Sequence, residues 1–151
     1  AYEIFAGCAW DTHANHFPRL KDYLLPGMDF AVSALILDLE QRGLLDETLV
    51  LWFSEHGRTP KIDNKPRGAG RHHWSRAYSI MAAGGGIARG KVVGSTDPTG
   101  GEVADTPISP KDLLATAFFL LGIDPHTLVP NILGRPLGIA GDGTLRRELL
   151  A

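Results

Sequence analysis

Cysteine is almost absent from this chain. Cys8 is the only one in 151 residues, so no internal disulfide can form and cysteine usage says nothing about compartment. It stands in an apolar run, where it reads as an inert core thiol. An excess of charge of one sign is also lacking. Fifteen Lys and Arg against 17 Asp and Glu leave a net charge of −2, which gives no global pull toward nucleic acid or a membrane surface. No apolar run approaches the ~18 residues of a membrane-spanning helix. The opening Ala1-Tyr2-Glu3 carries neither an initiator Met nor the basic segment of a signal peptide. The chain starts inside what reads as a strand and is expected to be part of a longer protein. Internal repeats and low-complexity segments are missing too. What remains, 44% hydrophobic and 21% charged, is the composition of a single globular domain with a core of its own.

The chain alternates strand-like and helix-like stretches. Residues 2–10 read as a short strand ending at Asp11-Thr12-His13-Ala14-Asn15-His16. From about Pro18 to Arg42, Leu20, Tyr23, Leu24, Met28, Ala31, Leu35 and Leu39 recur at helical spacing. Pro26-Gly27 predicts a kink or two helices, and Gly43 is placed to end the run. Thr48 to Ser54 reads as a buried strand, residues 56–74 as an ordered loop, and Arg76 to Ala82 and Lys91 to Ser95 as further strands. Ser109-Pro110-Lys111-Asp112 predicts a helix start, with Ser as cap, Pro at the first turn and Asp facing the free amides. Leu113 to Leu121 is so apolar that this helix is expected to be buried on most sides, and Gly122 to end it. Residues 123–151 read as a tail packed over the domain. The alternation favours an α/β fold with a largely parallel sheet. Parallel strands would bring the loops after residues 10 and 54 to one sheet edge, where ligands bind in such folds.

Those two loops hold the chemistry. Five of the six histidines fall in them, together with two carboxylates, giving Asp11, His13, His16, Glu55, His56, His72 and His73 as candidate metal ligands. Carboxylates and imidazoles suit zinc, manganese, iron and related divalent ions. Adjacent ligands such as Glu55 and His56 would suit two ions sharing a site. A plain structural reading stands beside this: a histidine at a strand end often serves only as a hydrogen-bonded anchor, and Glu55 could pair with Arg58. Arg58, Lys61, Lys65, Arg67 and Arg71 make the intervening loop basic, with Asp63 the only acid among them. Guanidinium groups beside a metal would orient a phosphate or sulfate, so Arg58 and Arg71, which flank the histidines, are candidate substrate ligands. Gly84-Gly85-Gly86 lacks the spacing of a nucleotide-binding loop. Ser54 lacks the setting of a nucleophile elbow. Trp10, Trp52 and Trp74 could wall the site from water or simply pack the core.

The motifs together resemble a known family. They are Trp10-Asp11-Thr12-His13, the run Arg42 to Val50, Glu55-His56-Gly57-Arg58-Thr59-Pro60, Gly70 to Trp74, Ala82 to Gly86, and Ser109 to Asp112 leading to Leu121-Gly122-Ile123-Asp124-Pro125. In this order, over nearly the whole chain, they resemble the C-terminal part of DUF1501, a family of bacterial proteins related to sulfatases and the alkaline phosphatase superfamily. The resemblance implies a three-layer α/β sandwich with a mostly parallel sheet, of which this chain is the C-terminal portion. It also implies a metal site in which Asp11 and His13 form a first pair (His16 the alternative to His13), Glu55-His56-Gly57 a second element, and His73 the last ligand, with His72 its rival. Three positions depart from the pattern: Glu55 stands where the superfamily usually has Asp, His56 where DUF1501 commonly has Phe, and His16 where Asn or another residue is usual.

The activity so implied is hydrolysis of sulfate or phosphate esters with one or two divalent ions (zinc, manganese, calcium or iron). The substrate would be a small ester or a sulfated glycan. The superfamily's nucleophile and a further metal-binding Asp lie before the first residue of this chain. Little turnover is therefore expected of these 151 residues alone. The alternative is a noncatalytic module whose degenerate metal or anion site binds a glycan or partner; phosphomutase-like transfer is a third possibility. Export is an expectation that rests on the resemblance alone.

Overall fold

A computed structural model gives the fold and describes residues 10–64, 66 and 68–151. The expected strand at 2–10, apart from Trp10, lies outside the described residues, as do Cys8, Lys65 and Arg67. The first described element is helical. A single turn, α1 (His16–Arg19), runs through a π-helical turn at Leu20–Leu24 into α2 (Leu25–Gln41). Pro26 sits in the first turn of α2. The helix runs on through Pro26, and the wider π turn just before it accommodates the missing N–H and the ring. Met28, Val32, Ile36 and Leu39 face inward, while Ala31 and Leu35 are exposed. Gly43, at φ 67°, closes α2. The Leu44 amide reaches back to the Leu39 carbonyl at 2.8 Å and the Gly43 amide to Glu40 at 3.0 Å, the paired bonds of a left-handed helix stop.

A 3-10 turn at Leu45–Glu47 leads into β1 (Val50–Trp52), shorter than the strand expected over 48–54. Beyond it come β2 (Gly57–Arg58), β3 (His73–Trp74) and β4 (Met81–Ala83). β1 pairs antiparallel with β4, Leu51 opposite Ala82. β2 pairs antiparallel with β3, Arg58 opposite His73. The segment between β2 and β3 is a curled hairpin, pinned midway where Asp63 and Gly70 exchange both backbone hydrogen bonds, at 2.9 and 2.8 Å. Two further hairpins follow: β5 (Ser95–Thr96) with β6 (Val103–Asp105), and β7 (Leu128–Pro130) with β8 (Pro136–Gly138). Every ladder among the described residues is antiparallel.

Between the last two hairpins lies α3 (Pro110–Leu120). Ser109 caps it as its sequence predicts: its hydroxyl accepts from the Asp112 amide at 3.1 Å, and Asp112 accepts from the Ser109 amide at 2.9 Å. The expectation of burial on most sides is corrected. Only Leu113, Ala115 and Thr116 are buried, and Leu114, Phe119 and Leu121 are exposed. The buried face meets the last stretch of chain, where Thr144 donates to Asp112 and the Arg146 amide to Thr116 Oγ1. The terminus itself pairs with the segment after the triple glycine, Ala88 to Leu149 at 2.8 Å and Ala151 to Gly86 at 3.0 Å. Among the described residues, Leu45, Ala77, Ile87, Leu113, Ala115 and Ala140 are the buried apolar ones. No described helix is long and apolar enough to cross a membrane.

Candidate metal centre

The site is built where the segment 10–16 lies against the curled hairpin. The Asn15 and His16 amides donate to the Gly68 and Ala69 carbonyls, at 3.3 and 2.9 Å. Gly70 is what lets the two come so close. A side chain there would stand 1.9 Å from the His13 carbonyl oxygen, far inside van der Waals contact. With the backbones in register, β3 delivers His73, and the residue before it, His72, to either side of His13.

Three donors converge. Asp11 Oδ1 lies 2.8 Å from His13 Nε2 and 2.7 Å from His73 Nε2, and the two imidazole nitrogens are 3.1 Å apart. Asp11, His13 and His73 thus form a group able to hold a metal ion. The fit can be judged from the donors alone. Adjacent ligands at bonds of ~2.0–2.1 Å stand roughly 2.8–3.0 Å apart in an octahedral shell and roughly 3.3–3.4 Å in a tetrahedral one, so the observed triangle is close to the first and opens by about half an ångström for the second. Two imidazoles and one carboxylate on one face is also a ligand set that divalent metals favour. The hydrogen bond from His73 does most to hold the Asp11 carboxyl down, at about 2; desolvation opposes it, and the Arg58 hydrogen bond and the charges of His13 and Arg58 add to it. Asp11 is therefore an anion throughout the physiological range.

Arg58 braces this carboxylate. Its Nη2 donates to Asp11 Oδ1 at 3.0 Å and to the Trp10 carbonyl at 2.7 Å, and its Nη1 to the Arg71 carbonyl at 3.4 Å. Arg71 likewise bonds backbone, Nε to the Thr59 carbonyl at 2.6 Å and Nη2 to the Arg58 carbonyl at 3.2 Å. Both candidate substrate ligands are thus engaged with the chain itself.

The other candidates fall around the triad, not in it. Glu55 is exposed, accepts from Ser54 Oγ at 3.0 Å and stands 3.4 Å from His56 Nε2. Its own amide, then Ser54 and His56, lower its pKa. The His56 ring lies on His73, centroids 4.1 Å apart. His16 is buried and turned away, its Nδ1 2.5 Å from Thr12 Oγ1. Burial first, then the charges of Arg71 and Arg58, lower its pKa, so it is a neutral imidazole. His72 points one nitrogen at His13 and the other at Asp63. Sequence reasoning passed over Asp63 as a partner. The available signal was a lone acid in an otherwise basic loop. Trp10 meets Trp52 edge-on at 6.2 Å, and Trp74 donates to the Gly101 carbonyl at 2.6 Å.

With this geometry in hand, comparison with known proteins decides the family. The model of a protein family of unknown function, DUF1501, matches residues 2–150. The chain belongs to the DUF1501 family. The match runs through both segments that build the triad, so the site is part of the DUF1501 region of the molecule. No curated protein and no solved structure matches the chain.

Proposed function

We propose that this DUF1501 chain is the C-terminal portion of a metal-dependent hydrolase of sulfate or phosphate esters of the alkaline phosphatase kind, whose mostly parallel sheet would belong to the whole three-layer α/β sandwich, since the ladders among this chain's described residues are antiparallel. The observation that carries the reading is the convergence of Asp11 Oδ1, His13 Nε2 and His73 Nε2 to within 2.7–3.1 Å of one another. With both rings neutral and their Nε2 lone pairs turned inward, the triangle is three acceptors that no hydrogen bond among them can join. A shared cation satisfies all three lone pairs. Two imidazoles with one carboxylate suit zinc, manganese or iron; calcium takes six to eight oxygen ligands and fits this set poorly. When bound, such an ion supplies polarisation of the ester oxygen and stabilises charge on the attacking and leaving oxygens.

The chain's own residues divide the remaining work. Asp11 supplies the anionic ligand, and Arg58 fixes its orientation. Glu55 and His56 stand beside His73 as the ligands of a second ion, if the site holds two. Ser54 donates to Glu55 and is not assigned as nucleophile. The substrate is a small sulfate or phosphate ester, or a sulfated glycan carrying such a group.

One observation favours a second reading. Glu55 is turned to Ser54 and its own neighbour, not to the triad, which suits a site reduced to one ion that retains a glycan without cleaving it. Assay of the full-length parent on aryl sulfates and aryl phosphates separates the two. The hydrolase reading predicts turnover that chelation abolishes and added metal restores. Retention of a sulfated glycan with no turnover of either ester would select the binding module.

A further inference from the structure

A second carboxylate reaches the triad through two rings. Asp63 Oδ2 lies 3.0 Å from His72 Nε2, and His72 Nδ1 lies 2.9 Å from His13 Nδ1. His13 Nε2 then faces Asp11 Oδ1 at 2.8 Å. The chain Asp63–His72–His13–Asp11 is thus a carboxylate, two imidazoles and a carboxylate in series. Each neutral imidazole has one N–H and one lone pair, so the direction of every bond follows from its end. Asp63 can only accept, so His72 carries its proton on Nε2 and presents a lone pair at Nδ1. That lone pair can only accept, so His13 carries its proton on Nδ1. His13 Nε2 is then left with a lone pair pointed at the Asp11 carboxylate. With both rings neutral, two acceptors face each other there, and either a proton on His13 Nε2 or a metal ion joins them.

We infer that Asp63 and His72 are positioning residues that fix His13 in the tautomer required for metal binding through Nε2; the inference rests on the metal reading above. Metal-bound histidines commonly donate their other N–H to an acceptor that sets ring orientation and basicity. Here the acceptor is itself a histidine, anchored by a carboxylate. The backbone supports the arrangement. Asp63 is locked opposite Gly70 by paired hydrogen bonds, and the His72 amide donates to Thr59 Oγ1 at 3.0 Å. Both ring nitrogens of His72 are engaged, one with Asp63 and one with His13. His72 is not the rival of His73 for the metal but the support of His13.

The test is zinc titration of the chain, read by chelator competition, with variants that separate the acceptor from the ring. His72→Leu and Asp63→Leu are expected to weaken zinc binding about 10–100-fold. His72→Asn places an amide oxygen where Nδ1 stood and is expected to restore most of that loss, which a merely structural role for the ring would not predict. Long-range nitrogen–proton NMR of the unaltered chain needs no variant to fold. It is expected to show His72 protonated at Nε2 and His13 at Nδ1. His72 protonated at Nδ1, or zinc affinity unchanged in a folded His72→Leu, would overturn the relay while leaving the metal site standing. A chain that binds no zinc at all would overturn the metal reading and the relay with it.

Discussion

At the scale of single residues, Asp11 bears the most. It is the only anion among the three converging donors, and three side chains are arranged to keep it so: His73, Arg58 and His13. Its folded pKa of about 2 lies below the ordinary 3.8. The folded state therefore binds fewer protons than the unfolded chain between these values. The stability this contributes is present above about pH 4 and lost as pH falls through about 2. Because the side chain is 40% exposed, solvent screening keeps the contribution modest. Asp97, also held at about 2 by the Gly101 amide and then the Thr99 hydroxyl, acts in the same window. Denaturant midpoints of the metal-free chain should thus fall from pH 4 to pH 2, and fall less in Asp11→Asn. An equal fall in that variant would contradict this role for Asp11. Much of this scale was legible in the sequence, because histidines and carboxylates gathered in two loops announce a site. What could not be read was which ring faces which. His72 and His73 are neighbours in sequence, yet an extended backbone turns them to opposite sides of His13. Asp63 matters only because Gly70 folds the hairpin back upon it.

At the scale of elements, the clearest local signals were the caps. Ser109 to Asp112 begins α3 as its sequence foretells, and Gly43 and Gly122 end α2 and α3 with matching pairs of backbone bonds. These are short-range effects of backbone geometry, which is why sequence alone reaches them. Asp112 then does more than cap. Its Oδ1 accepts from the Thr144 amide and hydroxyl, at 2.8 and 2.9 Å, tying the final stretch of chain to the helix. Those bonds, with the Ser109 amide, hold its carboxyl well below the usual range. Asp112→Ala is expected to cost about 2 kcal/mol, a cap and a side-chain anchor together. Thermal unfolding should show it as a loss of roughly 4–8 °C, and no change in the midpoint would contradict the anchor. The inward stripe of α2 was less legible. Nearly every position from Phe30 to Leu39 is apolar, so two stripes one residue apart fit the pattern equally. The structure half-covers the second, at Met28, Val32 and Ile36.

At the scale of the whole molecule, alternation of strand-like and helix-like stretches is visible in the sequence, but pairing is not. β1 finds β4 thirty residues on, and β2 finds β3 across the hairpin, through contacts that no local pattern encodes. Phe30, Leu35 and Leu37 on α2, and Leu114, Phe119 and Leu121 on α3, remain exposed, so apolar composition overstated how far these helices are covered. The site depends on this same long-range order. Its donors come from residues 11, 13 and 73, and only the docking of the hairpin on segment 10–16 unites them. The proposed function requires that this union hold a divalent metal. Metal content by inductively coupled plasma mass spectrometry tests it most directly, on the chain loaded with zinc and on a folded Asp11→Ala, His73→Ala variant treated identically. A stoichiometric ion is expected in the first and its loss in the second. Equal zinc in both, or none in either, would contradict it.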